Sequence, residues 1–391
     1  MKNTCMCAVA LAAATFASAN VCADSNITIY GVADAASVYA NNQGGNSNTY
    51  MRSGNLSASK IGFQGFEDLG GDLKALFLLE SGFELDNGAQ SSAGSLFNRQ
   101  AYVGLQSKAY GTVTAGRQYT PSYLLVGSLA SSNVVTGATG AHPGDIDGLD
   151  TTVRISNAIT YSMPAWRGLQ ASAQYGFGEA ADGNAIGSSV GAALKYSTSP
   201  AEFAVGYVKL RNGNMSTGAG TGWNGASGSF GISTINQGYA SAESAQFITA
   251  AARYTVGKLM VGANASNVQY AAGSRSAFRD TAILNTAGLI SGYQLTPHWF
   301  LGAAYRDTRA TRANGIDSRA SYKQLSLEQT YAFSKRTSFY LVEARQLARG
   351  HTLGANGDIV NAVASVGDSQ NGSPSSNGGQ TVIMAGLKHS F

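Results

Sequence analysis

At 391 residues the chain has room for one large domain or roughly two to three average ones, so length alone selects neither. Charged residues are 12% of the total, about half the usual quarter, and a net charge of +4 with no basic cluster excludes a nucleic-acid partner. With 49 glycines, 6 prolines and a mean hydropathy of −0.07, the chain is neither a bundle of membrane helices nor a highly charged disordered polymer; it suits a β protein whose two faces meet different solvents.

Residues 1–23 read as an export signal of bacterial type. Lys2 supplies the positive start, Ala8 to Phe16 the apolar stretch, and Val21-Cys22-Ala23 the small-residue cleavage site. Cleavage after Ala23 would leave Asp24 first, with Ala19 as the alternative point. Val21 is bulky for a lipidation motif at Cys22. Cys5, Cys7 and Cys22 all fall in this segment, so residues 24–391 are expected to hold neither a disulfide nor a Cys-ligated metal. Beyond it there is no run of 18 apolar residues. That leaves a soluble exported protein or a closed β-barrel, which satisfies its own backbone in lipid.

From Asn26 onward, sixteen short alternating segments are expected. The first is Ile27 to Val38, followed by a polar connection, NNQGGNSN. Leu56 to Phe66 sets Ile61 and Phe63 against Lys60 and Gln64, and after the turn Glu67 to Asp72, Leu73 to Leu85 sets Ala75, Phe77 and Leu79 against Lys74 and Glu80. Period-2 alternation over such a length marks a strand buried on one face. The same pattern continues in pairs: Asn98 to Ser107 with Gly111 to Gln118, Val153 to Met163 with Leu169 to Phe177, and Ser189 to Thr198 with Ala201 to Leu210. Ala245 to Val256 with Lys258 to Tyr270, Thr281 to Gln294 with Trp299 to Arg309, and Arg319 to Phe333 with Thr337 to Leu347 follow, and Gln380 to Phe391 closes the series.

Between the segments, seven short turns alternate with eight longer connections. That alternation predicts an up-and-down barrel in an outer membrane, short turns on one rim and long loops on the other. Phe66, Tyr161, Trp166, Tyr196, Trp299, Tyr331, Phe333 and Phe339 fall near segment ends, as an interfacial girdle requires. The third long connection, Tyr119 to Thr152, is apolar in its first half and carries Asp145, Asp147 and Asp150 in its second. A structureless loop of that length is usually functional or disordered.

The opening ITIYGVADAA, the stretch IGFQGFEDLGGDLKALFLLESGF, NRQAYVGLQSKAYGTVTAGRQYTP, AHPGDIDGLDTTVRISNAITYS and the terminal VIMAGLKHSF together resemble the Gram-negative general-diffusion porins of β-proteobacterial type. The resemblance covers most of the first 163 residues and the last strand. It implies an all-β fold: a 16-stranded antiparallel transmembrane barrel over residues 24–391, its third extracellular loop folded inward. The implied function is a water-filled channel for passive diffusion of small hydrophilic solutes and ions, without cofactor or metal. It further implies a homotrimer in outer-membrane lipid and lipopolysaccharide, with the Phe391 strand read by the barrel-assembly machinery.

Matching motif by motif, the basic side of the implied constriction would be Lys60, Arg99, Arg117 and Arg154, and the acidic side Glu80, Asp145, Asp147 and Asp150. Lys60 stands where the family often has arginine, keeping the charge without the planar fork. At Arg99 the parity is mixed, because Ala101, Val103 and Leu105 share its face; its lumen position rests on the resemblance. Opposed charges across a narrow aqueous gap orient water and bias ions, and weak anion preference is the expected outcome.

Two other functions compete. One is a substrate-specific channel. The other is a surface hydrolase or adhesin, for which His142 with Asp145 or His351 with Asp358 are the nearest acid–base pairs. The four histidines, His142, His298, His351 and His389, show no metal spacing. Gly220 to Gly225 fits a dinucleotide fingerprint only formally, since no strand precedes it and no helix follows.

Overall fold

A computed structural model describes residues 26–150, 153–178, 186–213, 223, 233–368 and 373–391. The export signal, its cysteines and most of Gly220 to Gly225 lie outside the described residues. Strands run in chain order as β1 (Asn26–Gln43), β2 (Asn46–Ser53), β3 (Lys60–Gly70), β4 (Leu73–Gly82), β5 (Gln100–Ser107) and β6 (Gly111–Tyr119). Then come β7 (Arg154–Ser162), β8 (Leu169–Gly176), β9 (Ser189–Thr198), β10 (Ala201–Arg211), β11 (Ser244–Val256) and β12 (Leu259–Ala271). The series continues with β13 (Ala282–Gln294), β14 (Trp299–Ala310), β15 (Ser321–Ala332) and β16 (Thr337–Arg349). A small hairpin of β17 (His351–Leu353) and β18 (Ile359–Asn361) precedes β19 (Gly379–Ser390).

Each barrel strand pairs antiparallel with its neighbours, and β1 closes the ring against β19, from Val32↔Ser390 to Ala40↔Val382. On its other edge β1 pairs twice. Its first half meets β3 (Asn26↔Phe66 to Val32↔Lys60), and its second half meets β2 (Ala35↔Ser53 to Gln43↔Asn46). The two partners are halves of one interrupted strand, so the closed barrel has sixteen. The polar stretch NNQGGNSN, expected as a loop, is instead the tip of the β1–β2 hairpin. Its asparagines are tolerated there because β1 and β2 supply the backbone partners.

The interruption is built by Asp34. This buried carboxylate on β1 accepts backbone N–H groups from Leu56 at 2.9 Å and Ser57 at 2.7 Å, and the Tyr340 hydroxyl at 2.5 Å. Gly54 turns the chain at φ +69°, a conformation costly for residues with a Cβ, and Ser59 Oγ donates to Asp34 O at 3.0 Å. The result is a fixed bend that delivers Lys60 to the start of β3.

Side-chain alternation is inverted relative to a soluble protein. On β15, Gln324, Ser326 and Glu328 are buried while Leu325 and Leu327 are exposed; on β5, Val103 is 63% exposed. An apolar outside with a polar inside is the arrangement a barrel needs in lipid. Seven of the eight aromatics named above are exposed, and all eight lie by the short turns. Tyr331 packs edge-on against both Trp299 and Phe333, forming part of that single belt.

Candidate functional site

The connection between β6 and β7 folds into short helical pieces: an α-helix at Pro121–Leu125, capped by Thr120 Oγ1 on the Tyr123 N–H, a second at Ser131–Val134, and 3-10 turns between and after them. Nearly all of it is buried. Val126, Leu129 and Leu149 pack on Ala204 of β10 and Ala251 of β11, whereas Leu124 is exposed. So only part of the apolar half meets the wall.

Its polar atoms bond to inward-facing side chains of distant strands. Ser122 Oγ lies 2.7 Å from Thr249 Oγ1 on β11. Thr136 N–H donates to Glu328 on β15 at 2.6 Å. The Thr139 carbonyl accepts from Arg306 on β14 at 2.7 Å and from Gln324 on β15 at 2.6 Å, and Arg306 also donates to Ala141 O. Bonds of this kind with a charged partner contribute about 1.5–3 kcal/mol each. Gly137, at φ +52°, sits so close to the bend at residues 54–59 that a Cβ would stand 2.3 Å from Asn55 O.

His142 bonds Asp147 through Nδ1 and Asn264 Oδ1 on β12 through Nε2, the latter at 2.7 Å. With an acceptor at each ring nitrogen, the imidazolium is the form that fits. Burial alone would lower its pKa, but the Asp147 carboxylate outweighs that and holds it above the usual histidine range. Burial likewise opposes ionisation of Asp147, and His142 overcomes it, so Asp147 titrates below the usual carboxylate range. The pair is a structural clamp inside the connection. His142 is thus paired with Asp147, five residues on, and not with Asp145.

Glu80 on β4 gathers three groups: Lys60 Nζ at 3.2 Å, Arg99 Nε at 2.9 Å and the Tyr30 hydroxyl at 2.9 Å. Arg99 precedes β5 and escapes the strand's parity, because Asn98 folds back on Gly82 (Gly82 N–H to Oδ1, 3.0 Å) and turns the chain inward. Lys60, Arg99 and Asp150 share the lining of one polar cavity of about 420 Å³. Four further charged residues line it that the motifs did not bring forward: Arg52, Glu84, Asp368 and Lys388. Lys388 was legible from parity, being on the face of β19 opposite Leu387 and His389. Asp368 lies in a Gly/Ser/Asn-rich connection without pattern, and no sequence signal marks it.

The remaining members of the matched set stand apart from that cavity. Arg117 donates to Asn98 O at 2.9 Å and Ser156 Oγ at 2.7 Å. Arg154 is buried with its guanidinium 5.5 Å from the Tyr119 ring, over which Arg99 also stands at 5.8 Å. Asp145 Oδ1 accepts the Asp150 N–H at 2.9 Å and so shapes the turn that presents Asp150.

The family model for Gram-negative porins matches residues 8–351. An outer membrane porin protein of Bordetella pertussis is 31% identical over 239 residues, 55% of this chain, and the chain spans 61% of that protein's length. Outer membrane porin protein 32 of Delftia acidovorans is 28% identical over 250 residues, 60% of this chain and 68% of that protein. Among solved structures, an anion-selective porin from Comamonas acidovorans superposes with a TM-score of 0.70 at 22% identity, covering 94% of this chain and all of the other. At that identity the likeness speaks for the fold. The family match, the apolar outer face and the closed ring of sixteen strands agree: the chain belongs to the Gram-negative porin family and is an outer-membrane β-barrel.

Proposed function

We propose that the protein is an outer-membrane channel for passive diffusion of small hydrophilic solutes and ions, with the connection 119–152 folded into the lumen as its constriction. One observation carries the reading: a polar cavity within a lipid-compatible barrel, three of whose four cations come from barrel strands and whose carboxylates come from connections. The bonds from Thr136, Thr139 and His142 to inward-facing residues of β12, β14 and β15 support placement of the connection inside. Lys60, Arg99, Arg52 and Lys388 would form the basic side and Asp150 with Asp368 the acidic side, while Glu80 ties Lys60 to Arg99.

Cations outnumber ionised carboxylates in that lining, so weak anion preference follows from the field they set up. The Comamonas acidovorans relative in fold is described as anion-selective, which agrees. No acid–base catalysis is assigned to His142, since both its ring nitrogens are engaged within the clamp. A homotrimer, contact with lipopolysaccharide, and recognition of the Phe391 strand by the assembly machinery are read from family membership.

Liposome swelling tests the channel reading. Rates for uncharged sugars should fall steeply with solute size and show no saturation. Saturable uptake of one solute would instead favour a substrate-specific channel, and no swelling at all would defeat both.

A further inference from the structure

The last long connection brings a second carboxyl group to the cavity. Its residues 364–368 are held by two buried glutamines on the inner face. Gln346 of β16 donates to Ser365 O at 2.9 Å and accepts the Ser365 N–H at 2.8 Å; Gln380 of β19 accepts the Val366 N–H at 2.7 Å. Val366 is buried with Val38, Val342 and Val382, and Gly367 O accepts the Gly144 N–H at 3.4 Å, tying the two connections together. These contacts leave Asp368 buried in the cavity lining, its carboxyl hydrogen-bonded to that of Asp150.

We propose that Asp150 and Asp368 form a proton-sharing carboxyl pair, and that this pair sets the ion selectivity of the channel. The inference rests on the channel reading above and adds a residue from a second connection to it. A hydrogen bond between two carboxyl groups requires one proton, so the pair carries a single negative charge until that proton leaves. Asp150 is the member whose surroundings favour the proton. Burial, then Asp368 and Asp145, hold its carboxyl well above the usual carboxylate range, and Arg99 opposes them only in part. Tyr123, on the same connection, also faces Asp150. Strand cations Arg52, Lys60 and Lys388 complete the charged lining, with Glu84 beyond the end of β4. Losing the proton doubles the negative charge of the pair and favours cations.

The test is the zero-current potential across a salt gradient in planar bilayers, for wild type, Asp150→Asn, Asp368→Asn and the double variant, from about pH 5 to about pH 9. Wild type should lose anion preference in one step as pH rises. Asp150→Asn removes the carboxyl that burial and its neighbours hold up, so the step should vanish, whereas Asp368→Asn leaves Asp150 raised by burial and Asp145 alone, so the step should move to lower pH. The double variant should prefer anions more strongly throughout. An Asp368→Asn profile whose step keeps the wild-type midpoint overturns the proposal, even if the whole profile is shifted toward anions, because it would mean two independent charges. Heat-modifiable gel mobility verifies that each variant is a closed barrel. Absence of wild-type conductance would defeat the channel reading itself, whereas a conducting wild type with an unchanged Asp368→Asn profile defeats only the pair.

Discussion

Glu80 holds Lys60 and Arg99 together, and its charge offsets one of theirs. Glu80→Gln should therefore leave an uncompensated cation in the lining and move the zero-current potential further toward anions; an unchanged or cation-shifted potential would separate this trio from the ion path. The His142–Asp147 clamp makes a different prediction, about stability. His142 has a raised folded-state pKa, so its contribution is complete below about pH 6.5 and is lost as pH rises through the folded value. Asp147 has a depressed one, so its contribution is complete above about pH 3.9 and is lost as pH falls through the folded value. His142→Ala leaves Asp147 buried without its partner, which costs about 3–5 kcal/mol of local stability. Limited proteolysis within residues 127–149 should accelerate in that variant, and in wild type on going to alkaline pH. Equal resistance of variant and wild type at neutral pH would remove the clamp from the account.

At the scale of elements, the connection between β6 and β7 is a packed unit with its own anchors on β11, β12, β14 and β15. Removing Val134 to Gly148 should raise single-channel conductance, because it shortens the connection proposed above as the constriction. Unchanged conductance would mean that the narrowest point lies elsewhere. The sequence showed this element's place, its apolar first half and its three carboxylates but not its internal shape, since its helical pieces are too short for a periodic signal. The strands were legible for the opposite reason. Alternation is a local property, so Lys60 and Glu80 could be placed on matching faces before β3 and β4 were seen to pair Gly62↔Glu80. Arg52 and Asp368 were not legible, because a side-chain carboxylate on β1 bends one chain segment and glutamines on β16 and β19 fix the other. Those are contacts across distant sequence, which no window of residues contains.

For the whole molecule, the inverted alternation separates two kinds of substitution. Leu289, 64% exposed on β13, belongs to the outer apolar face, and Leu289→Arg should cost about 2–4 kcal/mol near the bilayer midplane, read as a lower urea midpoint in lipid vesicles. An unaltered midpoint would contradict burial of that face in hydrocarbon. Inner-face substitutions at the cavity should instead change ion traffic with little loss of barrel stability. The account as a whole holds that strand cations and loop carboxylates face each other across a water-filled gap in a closed barrel. Its most direct test is the zero-current potential of the purified wild-type protein in a planar bilayer at neutral pH under a salt gradient. The account predicts stable conducting steps with a potential on the anion-preferring side and well short of ideal; a clearly cation-preferring potential would contradict it.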